Sequence, residues 1–241
     1  MDLPRDLDLN ADVGEGGRWD EALFAAGITS ANIACGAHAG DERMMAAACA
    51  LAVRHGVALG AHPGYADREH FGRRAVRLTS GEIAELLRAQ LRALAALAEQ
   101  AGGRVGHVKP HGALYHWLHR DRAAAEAAVR VVATELPGAR VVGLPEGAWR
   151  EAAEACGLGF VPEGFIDRAY DAGGSLMPRT QVGAVLTDEA AVAAQAVALA
   201  RAGRVRTLCL HGDGAEALRF LLAARGELLA AGFRISAPKP E

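Results

Sequence analysis

The sequence predicts an α/β protein built as a distorted seven-stranded (β/α) barrel. Short apolar segments alternate with helical patterns through seven strand-helix units, which predicts a parallel sheet covered by helices. Polar residues follow six different strands instead of gathering at one crevice, and this favours a closed barrel over an open sheet. The length of 241 residues is typical of one barrel, so we expect a single domain over residues 1–241.

The predicted strands are short, apolar and followed by polar or glycine-containing segments. They cover residues 7–10, 31–35, 57–61, the lead-in from 104 to His107, 141–144, 159–162 and 207–210. Helical patterns cover residues 41–55, 79–101, 121–135, 147–155, 188–200 and 218–229. Two N-terminal signals are strong: Asp41 is typical of an N-cap, and Thr79 with Glu82 forms a capping box.

Composition excludes several classes of protein. A hydrophobic share of 51% with 23% charged residues provides a sizeable core and excludes general disorder. The net charge of −3, with both signs interspersed, does not indicate a nucleic-acid partner. No signal peptide or apolar run of membrane-spanning length is present, so we expect a cytoplasmic protein without membrane contact. The four cysteines are far apart, which indicates neither a disulfide framework nor a thiolate zinc site.

The segment HVKPHGALYH, residues 107–116, carries the strongest chemical signal. Lys109 and His111 are two residues apart in an extended segment, so both side chains point to the same side. A lysine at the end of a buried strand must find a negative partner or lose its proton. We therefore expect Lys109 and His111 to face the site, with His107 in the supporting strand and His116 on the surface.

Acids and histidines follow the neighbouring strands. Asp12 and Glu15 occupy a glycine-rich turn, where a carboxylate can act as general base or metal ligand or can only cap the next helix. His38 and His62 each follow a strand, which suits metal ligation or proton transfer. Asp12, His38 and His62 together form a candidate set for a divalent cation. Their spacing matches no zinc signature, so no metal site is assigned.

Arginines and a second acidic pair are further candidates. Arg73 lies in the loop after His62, and Asp167, Arg168 and Arg179 follow the sixth strand. A guanidinium group is the natural partner of a carboxylate or phosphate. The chain has neither a P-loop nor a G-x-G-x-x-G turn after a strand, so neither nucleotide fold is indicated.

Seven motifs in order resemble the LamB/YcsF family of 5-oxoprolinase A subunits over nearly the whole chain. They are residues 8–15 (DLNADVGE), 30–41 (SANIACGAHAGD), 60–65 (GAHPGY), 71–74 (FGRR), 107–115 (HVKPHGALY), 167–170 (DRAY) and 211–213 (HGD). The resemblance implies a glycoside hydrolase/deacetylase-like barrel. It also implies ATP-dependent opening of 5-oxo-L-proline to L-glutamate, with ATP as co-substrate, Mg²⁺, and partner subunits B and C.

On this resemblance, Asp12 is the expected water-activating base, and Lys109, His111 and Arg168 are expected to hold developing negative charge. The expected substrate-binding residues are Asn10, Glu15, Asn32, His38, His62, Arg73, Asp167, Arg179, His211 and Asp213. The chain departs from the family at Ala11, where cysteine is usual, at Ala37, where an aromatic residue is usual, and in a shorter segment over 200–207.

Two functions of other classes stay open. A metal-dependent carbohydrate deacetylase would use Asp12, His38 and His62 to bind a water-activating ion. A non-catalytic scaffold would use the barrel only to bind partner subunits.

Overall fold

A closed barrel of seven parallel strands forms the centre of the chain. The computed structural model describes residues 6–16, 20–171, 173–211 and 216–238. The barrel strands are β1 Asp6–Val13, β2 Ser30–Ala34, β3 Ala58–His62, β4 Val105–Val108, β5 Arg140–Gly143, β6 Phe160–Phe165 and β7 Thr207–His211. Each of β2 to β6 pairs with the next strand along the chain, and β1 pairs with both β2 and β7. The predicted seven-stranded barrel is confirmed.

An eighth strand lies outside this closed ring. β8, Arg234–Ile235, pairs in parallel with Asp6 and Leu7 at the start of β1. A two-residue strand carries no periodicity, and the sequence did not predict it. Its pairing, together with the bidentate contact of Arg234 with Asp6, attaches the C-terminal segment to the amino end of the barrel.

Helices cover the outside of the barrel. They are α1 Asp20–Ala26, α2 Glu42–His55, α3 Ser80–Gln100, α4 Gly112–Arg120, α5 Arg122–Glu135, α6 Ala148–Ala155, α7 Glu189–Ala202 and α8 Ala217–Ala230. The Asp41 N-cap and the capping box of Thr79 and Glu82 are both confirmed. In the described ranges, no helix combines the length and apolar character needed to cross a membrane.

Two strands are longer than predicted, and both extensions matter for the site. β1 continues through Val13, so Asp12 lies in the strand and not in the following turn. β6 continues past Pro162 to Phe165, because Glu163, Gly164 and Phe165 pair with β7. Proline lacks an N–H, but the carbonyl of Pro162 still accepts a hydrogen bond from the amide of Arg206 at 2.7 Å. Glu163 therefore belongs to the barrel wall.

The inside of the barrel is unusually polar. Along β1, Leu7, Leu9, Ala11 and Val13 belong to the apolar core. The alternate residues Asp8, Asn10 and Asp12 have side chains on the opposite face, inside the ring. All of these side chains are buried. Because buried polar groups are costly unless hydrogen-bonded, the interior side chains must satisfy one another, which fixes their positions.

Candidate active site

The carboxyl ends of the parallel strands bring most of the predicted site residues to one end of the barrel. Asp12, His62, Lys109 and His211 lie at or directly after the ends of four different strands. This is the end at which (β/α) barrels bind ligands. Asp213 lies outside the described residues.

Lys109 is the centre of a buried ionic network. Its Nζ lies 2.9 Å from Asp12 Oδ1 and 2.9 Å from Glu163 Oε1. It also lies 2.8 Å from Cys209 Sγ and 3.3 Å from Asn10 Oδ1. The Lys109 side chain is 2% exposed, so both ion pairs are shielded from solvent. Lys109 therefore has the predicted negative partner, and it has two of them, Asp12 and Glu163.

The groups around Lys109 set its charge. Burial alone lowers the pKa of Lys109, but Asp12, Cys209 and Glu163 together outweigh it and raise the pKa well above its usual range. Burial alone raises the pKa of Asp12, but His62 and Lys109 bring it well below its usual range. Lys109 is therefore a cation and Asp12 an anion throughout the neutral pH range.

Amide side chains hold this network in one arrangement. Asn32 Nδ2 donates to Asp12 Oδ1 at 2.9 Å and to Asn10 Oδ1 at 2.6 Å. The His107 Nε2 lies 2.9 Å from Asn32 Oδ1, and burial lowers the pKa of His107 to about 3. The His107 ring lies over Gly60, where a Cβ would fall 1.9 Å from Nε2. His107 thus supports the site from the strand, as predicted.

Glu163 is the functional residue that sequence reasoning missed. Its Oε1 accepts from Lys109 and from Asn10 Nδ2, and its Oε2 accepts from the Tyr115 hydroxyl at 3.0 Å. Burial and the charge of Glu163 raise the pKa of Tyr115 well above its usual range, so Tyr115 remains a donor. Pro162 suggested that the strand had ended. Continuing the strand alternation by three residues would have placed Glu163 inside the barrel.

A second cluster combines one carboxylate with three histidines. Potential ligand atoms of Glu15, His38, His62 and His111 all lie within 4.8 Å of one another. The candidate set Asp12, His38 and His62 is only partly brought together. His62 Nε2 lies 3.3 Å from Asp12 Oδ2, whereas His38 Nε2 faces Glu15 Oε1 at 3.0 Å. Burial lowers the pKa of His38 to about 3 and the pKa of His111 far below its usual range, so both rings are neutral.

Asp167 and His211 form a pair at the ends of β6 and β7. His211 Nδ1 lies 2.9 Å from Asp167 Oδ2, and the His211 amide donates to the same oxygen at 3.1 Å. Burial opposes ionisation of Asp167, but the contacts with His211 bring its pKa below the usual value. The His211 ring stacks on Phe165 at 5.6 Å between centroids, and its side chain is 15% exposed. This pair therefore presents an imidazole at the barrel mouth.

Arg168, which follows β6, is buried and bonds to backbone carbonyl oxygens. Arg168 donates to the carbonyl oxygens of Ala184 at 3.2 Å and Met177 at 2.5 Å. Burial lowers the pKa of Arg168, and the nearby charges of Arg179 and Arg73 lower it further. The charges of Arg73 and Arg179 therefore act on Arg168, and the carboxylate of Asp167 opposes them.

The geometry can be compared with known proteins. The LamB/YcsF family profile matches residues 7–241. The chain belongs to the LamB/YcsF family. A lactam utilization protein from Thermus thermophilus is 37% identical, with a TM-score of 0.88 over 96% of this chain and 99% of that chain.

Other barrels share the fold of this LamB/YcsF chain at low identity. A family 4 carbohydrate esterase from Streptomyces lividans is 14% identical, with a TM-score of 0.55 over 98% of this chain and 94% of that chain. The catalytic domain of a peptidoglycan N-acetylglucosamine deacetylase from Eubacterium rectale is 8% identical, with a TM-score of 0.58 over 99% and 90%. The expected deacetylase-like barrel is confirmed.

The departures from the LamB/YcsF pattern lie away from the ionic network. Ala11 is fully buried in the apolar core, on the strand face opposite Asn10 and Asp12. A cysteine at this position would therefore point away from the barrel interior. Ala37 is half-buried beside His38, and the short segment is the connection between α7 and β7.

Proposed function

We propose that this chain is the A subunit of a 5-oxoprolinase, a hydrolase that opens the lactam ring of 5-oxo-L-proline to give L-glutamate. The family and the 37% identical lactam utilization protein support the substrate class. The observation that carries the proposal is the buried Lys109 between two carboxylates at the barrel mouth. Burying three charges is expensive for a purely structural purpose, because a hydrophobic replacement is often as stable.

Asp12 is the proposed base that activates water. Its Oδ1 is occupied by Lys109 and Asn32, which leaves Oδ2 as the oxygen that can take a proton. The low pKa of Asp12 means that the basic form is fully populated at neutral pH. His62 Nε2 lies 3.3 Å from this oxygen.

Lys109 is the proposed group that stabilises negative charge on the substrate oxygen. Two of its N–H groups face carboxylates, and the third faces the sulfur of Cys209. Burial raises the pKa of Cys209 well above its usual range, so the sulfur is a neutral thiol and a weak acceptor. A substrate oxygen can replace this contact at little cost and receive a charge-assisted hydrogen bond.

The region around Arg168 is the proposed site for the substrate carboxylate. Arg168 is fixed by two backbone carbonyls, and Arg73 and Arg179 add positive charge beside it. His111 and His211 complete the wall around the reacting centre. Positive charge fixed in this region would attract an anionic substrate.

ATP and partner subunits complete the proposal. A five-membered lactam resists hydrolysis, and phosphorylation of its carbonyl oxygen would provide a good leaving group. The chain has no recognisable nucleotide motif, so we assign binding and hydrolysis of the activated lactam to this subunit. Handling of ATP with Mg²⁺ is assigned jointly to it and to subunits B and C.

The test is ATP-dependent release of glutamate from 5-oxoproline. The full chain is combined with subunits B and C, and reactions lacking this chain, ATP or the partners serve as controls. We expect glutamate only in the complete mixture. Release of acetate from an N-acetylated sugar by this chain alone would instead support the deacetylase function. Full activity of subunits B and C without this chain would support the non-catalytic scaffold function.

A further inference from the structure

The cluster of Glu15, His38, His62 and His111 brings one carboxylate and three imidazoles together in one small volume. Glu15 Oε1 lies 3.0 Å from His38 Nε2, 3.4 Å from His111 Nδ1 and 3.9 Å from His62 Nε2. His111 Nδ1 lies 3.0 Å from His62 Nε2. Four donor atoms from four separate loops or strand ends therefore surround one small volume.

The hydrogens of two of these histidines point away from the cluster. His62 Nδ1 lies 2.7 Å from the carbonyl oxygen of Lys109, and His111 Nε2 lies 2.9 Å from that of Phe71. A carbonyl oxygen can only accept, so each ring donates its hydrogen there. The other ring nitrogens, His62 Nε2 and His111 Nδ1, then face each other at 3.0 Å inside the cluster.

One donor atom from each of the four side chains therefore lies within 4.8 Å of the other three. A metal ion accepts all four donors together. The outward hydrogen bonds of His62 and His111 to carbonyls are also the arrangement that orients metal-binding imidazoles.

We propose that Glu15, His38, His62 and His111 bind one divalent transition-metal ion, such as zinc or cobalt. Three imidazole nitrogens and one carboxylate suit these ions, whereas Mg²⁺ and Ca²⁺ prefer oxygen ligands. The site is thus separate from the Mg²⁺ that accompanies ATP. A cleft of about 280 Å³ borders Glu15 and His38 and provides an entry route. Binding at this site does not depend on the reaction proposed above.

The test is a cobalt titration of the full chain after removal of metal by a chelator. We expect one equivalent of Co²⁺ to produce the visible absorption of a low-coordinate ion, and Zn²⁺ to abolish it by competition. Glu15→Gln keeps the shape of the side chain and should weaken binding at least tenfold. His70→Asn is the matched control, because His70 pairs with Asp67 away from the cluster. It should bind like wild type.

Thermal unfolding provides a second readout that does not use absorption or activity. A metal that binds only the folded chain must raise the melting temperature of wild type, and much less that of Glu15→Gln. Asp12→Asn should retain the cobalt spectrum, because Asp12 is outside the proposed ligand set.

Three results would overturn the site. The first is no binding of Co²⁺ or Zn²⁺ at millimolar concentration. The second is binding that Glu15→Gln and His111→Gln leave unchanged. The third is loss of binding in Asp12→Asn with retention in Glu15→Gln, which would restore the set of Asp12, His38 and His62.

Discussion

Removal of the buried Lys109 cation should destabilise the fold strongly and in a pH-dependent way. Lys109→Met keeps much of the side-chain volume but leaves Asp12 and Glu163 as two buried carboxylates without their shared partner. Breaking a buried ion pair from one side costs about 3–5 kcal/mol in the free energy of unfolding. For a chain of this length, that corresponds to a melting temperature lower by roughly 6–20 °C.

The pH dependence has a defined sign. In wild type the pKa of Asp12 lies below its unfolded value, so its contribution to stability is present above about pH 4. In Lys109→Met a buried carboxylate acquires a raised pKa and destabilises the fold above its unfolded pKa. The difference between wild type and variant should therefore be largest near pH 7 and shrink as the pH falls towards 4.

The assay is urea unfolding followed by circular dichroism at about pH 7.5, 6 and 5. Lys109→Met with Glu163→Gln should recover part of the lost free energy, because the second change removes one uncompensated charge. Arg130→Met, which removes an exposed cation, is the control and should change stability by less than about 0.5 kcal/mol. A Lys109→Met chain within about 1 kcal/mol of wild type at neutral pH would refute the network.

Two further predictions concern the supports of the site. Gly60→Ala should lower the free energy of unfolding by about 1–3 kcal/mol, because the new Cβ collides with the His107 ring. Gly81→Ala is the control, because its Cβ meets no atom within 4 Å, and it should not destabilise the fold. Thermal unfolding compares the two variants. A stable Gly60→Ala chain would contradict the packing. Asp167→Asn should lose more stability at pH 6 than at pH 3, because the pKa of Asp167 lies below its unfolded value beside His211. Equal losses at both pH values would show that the charge is not involved.

The barrel could be predicted because its signals are local and repeated. The capping box of Thr79 and Glu82 and the N-cap Asp41 determine helix starts through contacts within one turn, and both are confirmed. The spread of polar residues over six strand ends indicated ring closure. β8 was missed because two residues pair with β1 through a contact more than two hundred positions away in the chain.

The sequence predicted most members of the candidate site but not which of them contact one another. Lys109 was expected to need one acid, and the structure gives it two, of which Glu163 was hidden by Pro162. The strand ends indicated that Asp12, His38 and His62 lie together. Only the folded barrel reveals that Asp12 pairs with Lys109 while Glu15 joins the histidines, because side-chain pairing across the barrel depends on strand register.

The most direct test of the proposed reaction centre is the turnover of Asp12→Asn in the reconstituted complex. Glutamate release from 5-oxoproline is measured with ATP, Mg²⁺ and subunits B and C, after gel filtration has verified assembly. Loss of the base should lower kcat by about 100-fold or more, with assembly unchanged. A kcat close to wild type in an assembled Asp12→Asn complex would contradict the assignment of lactam hydrolysis to this barrel mouth.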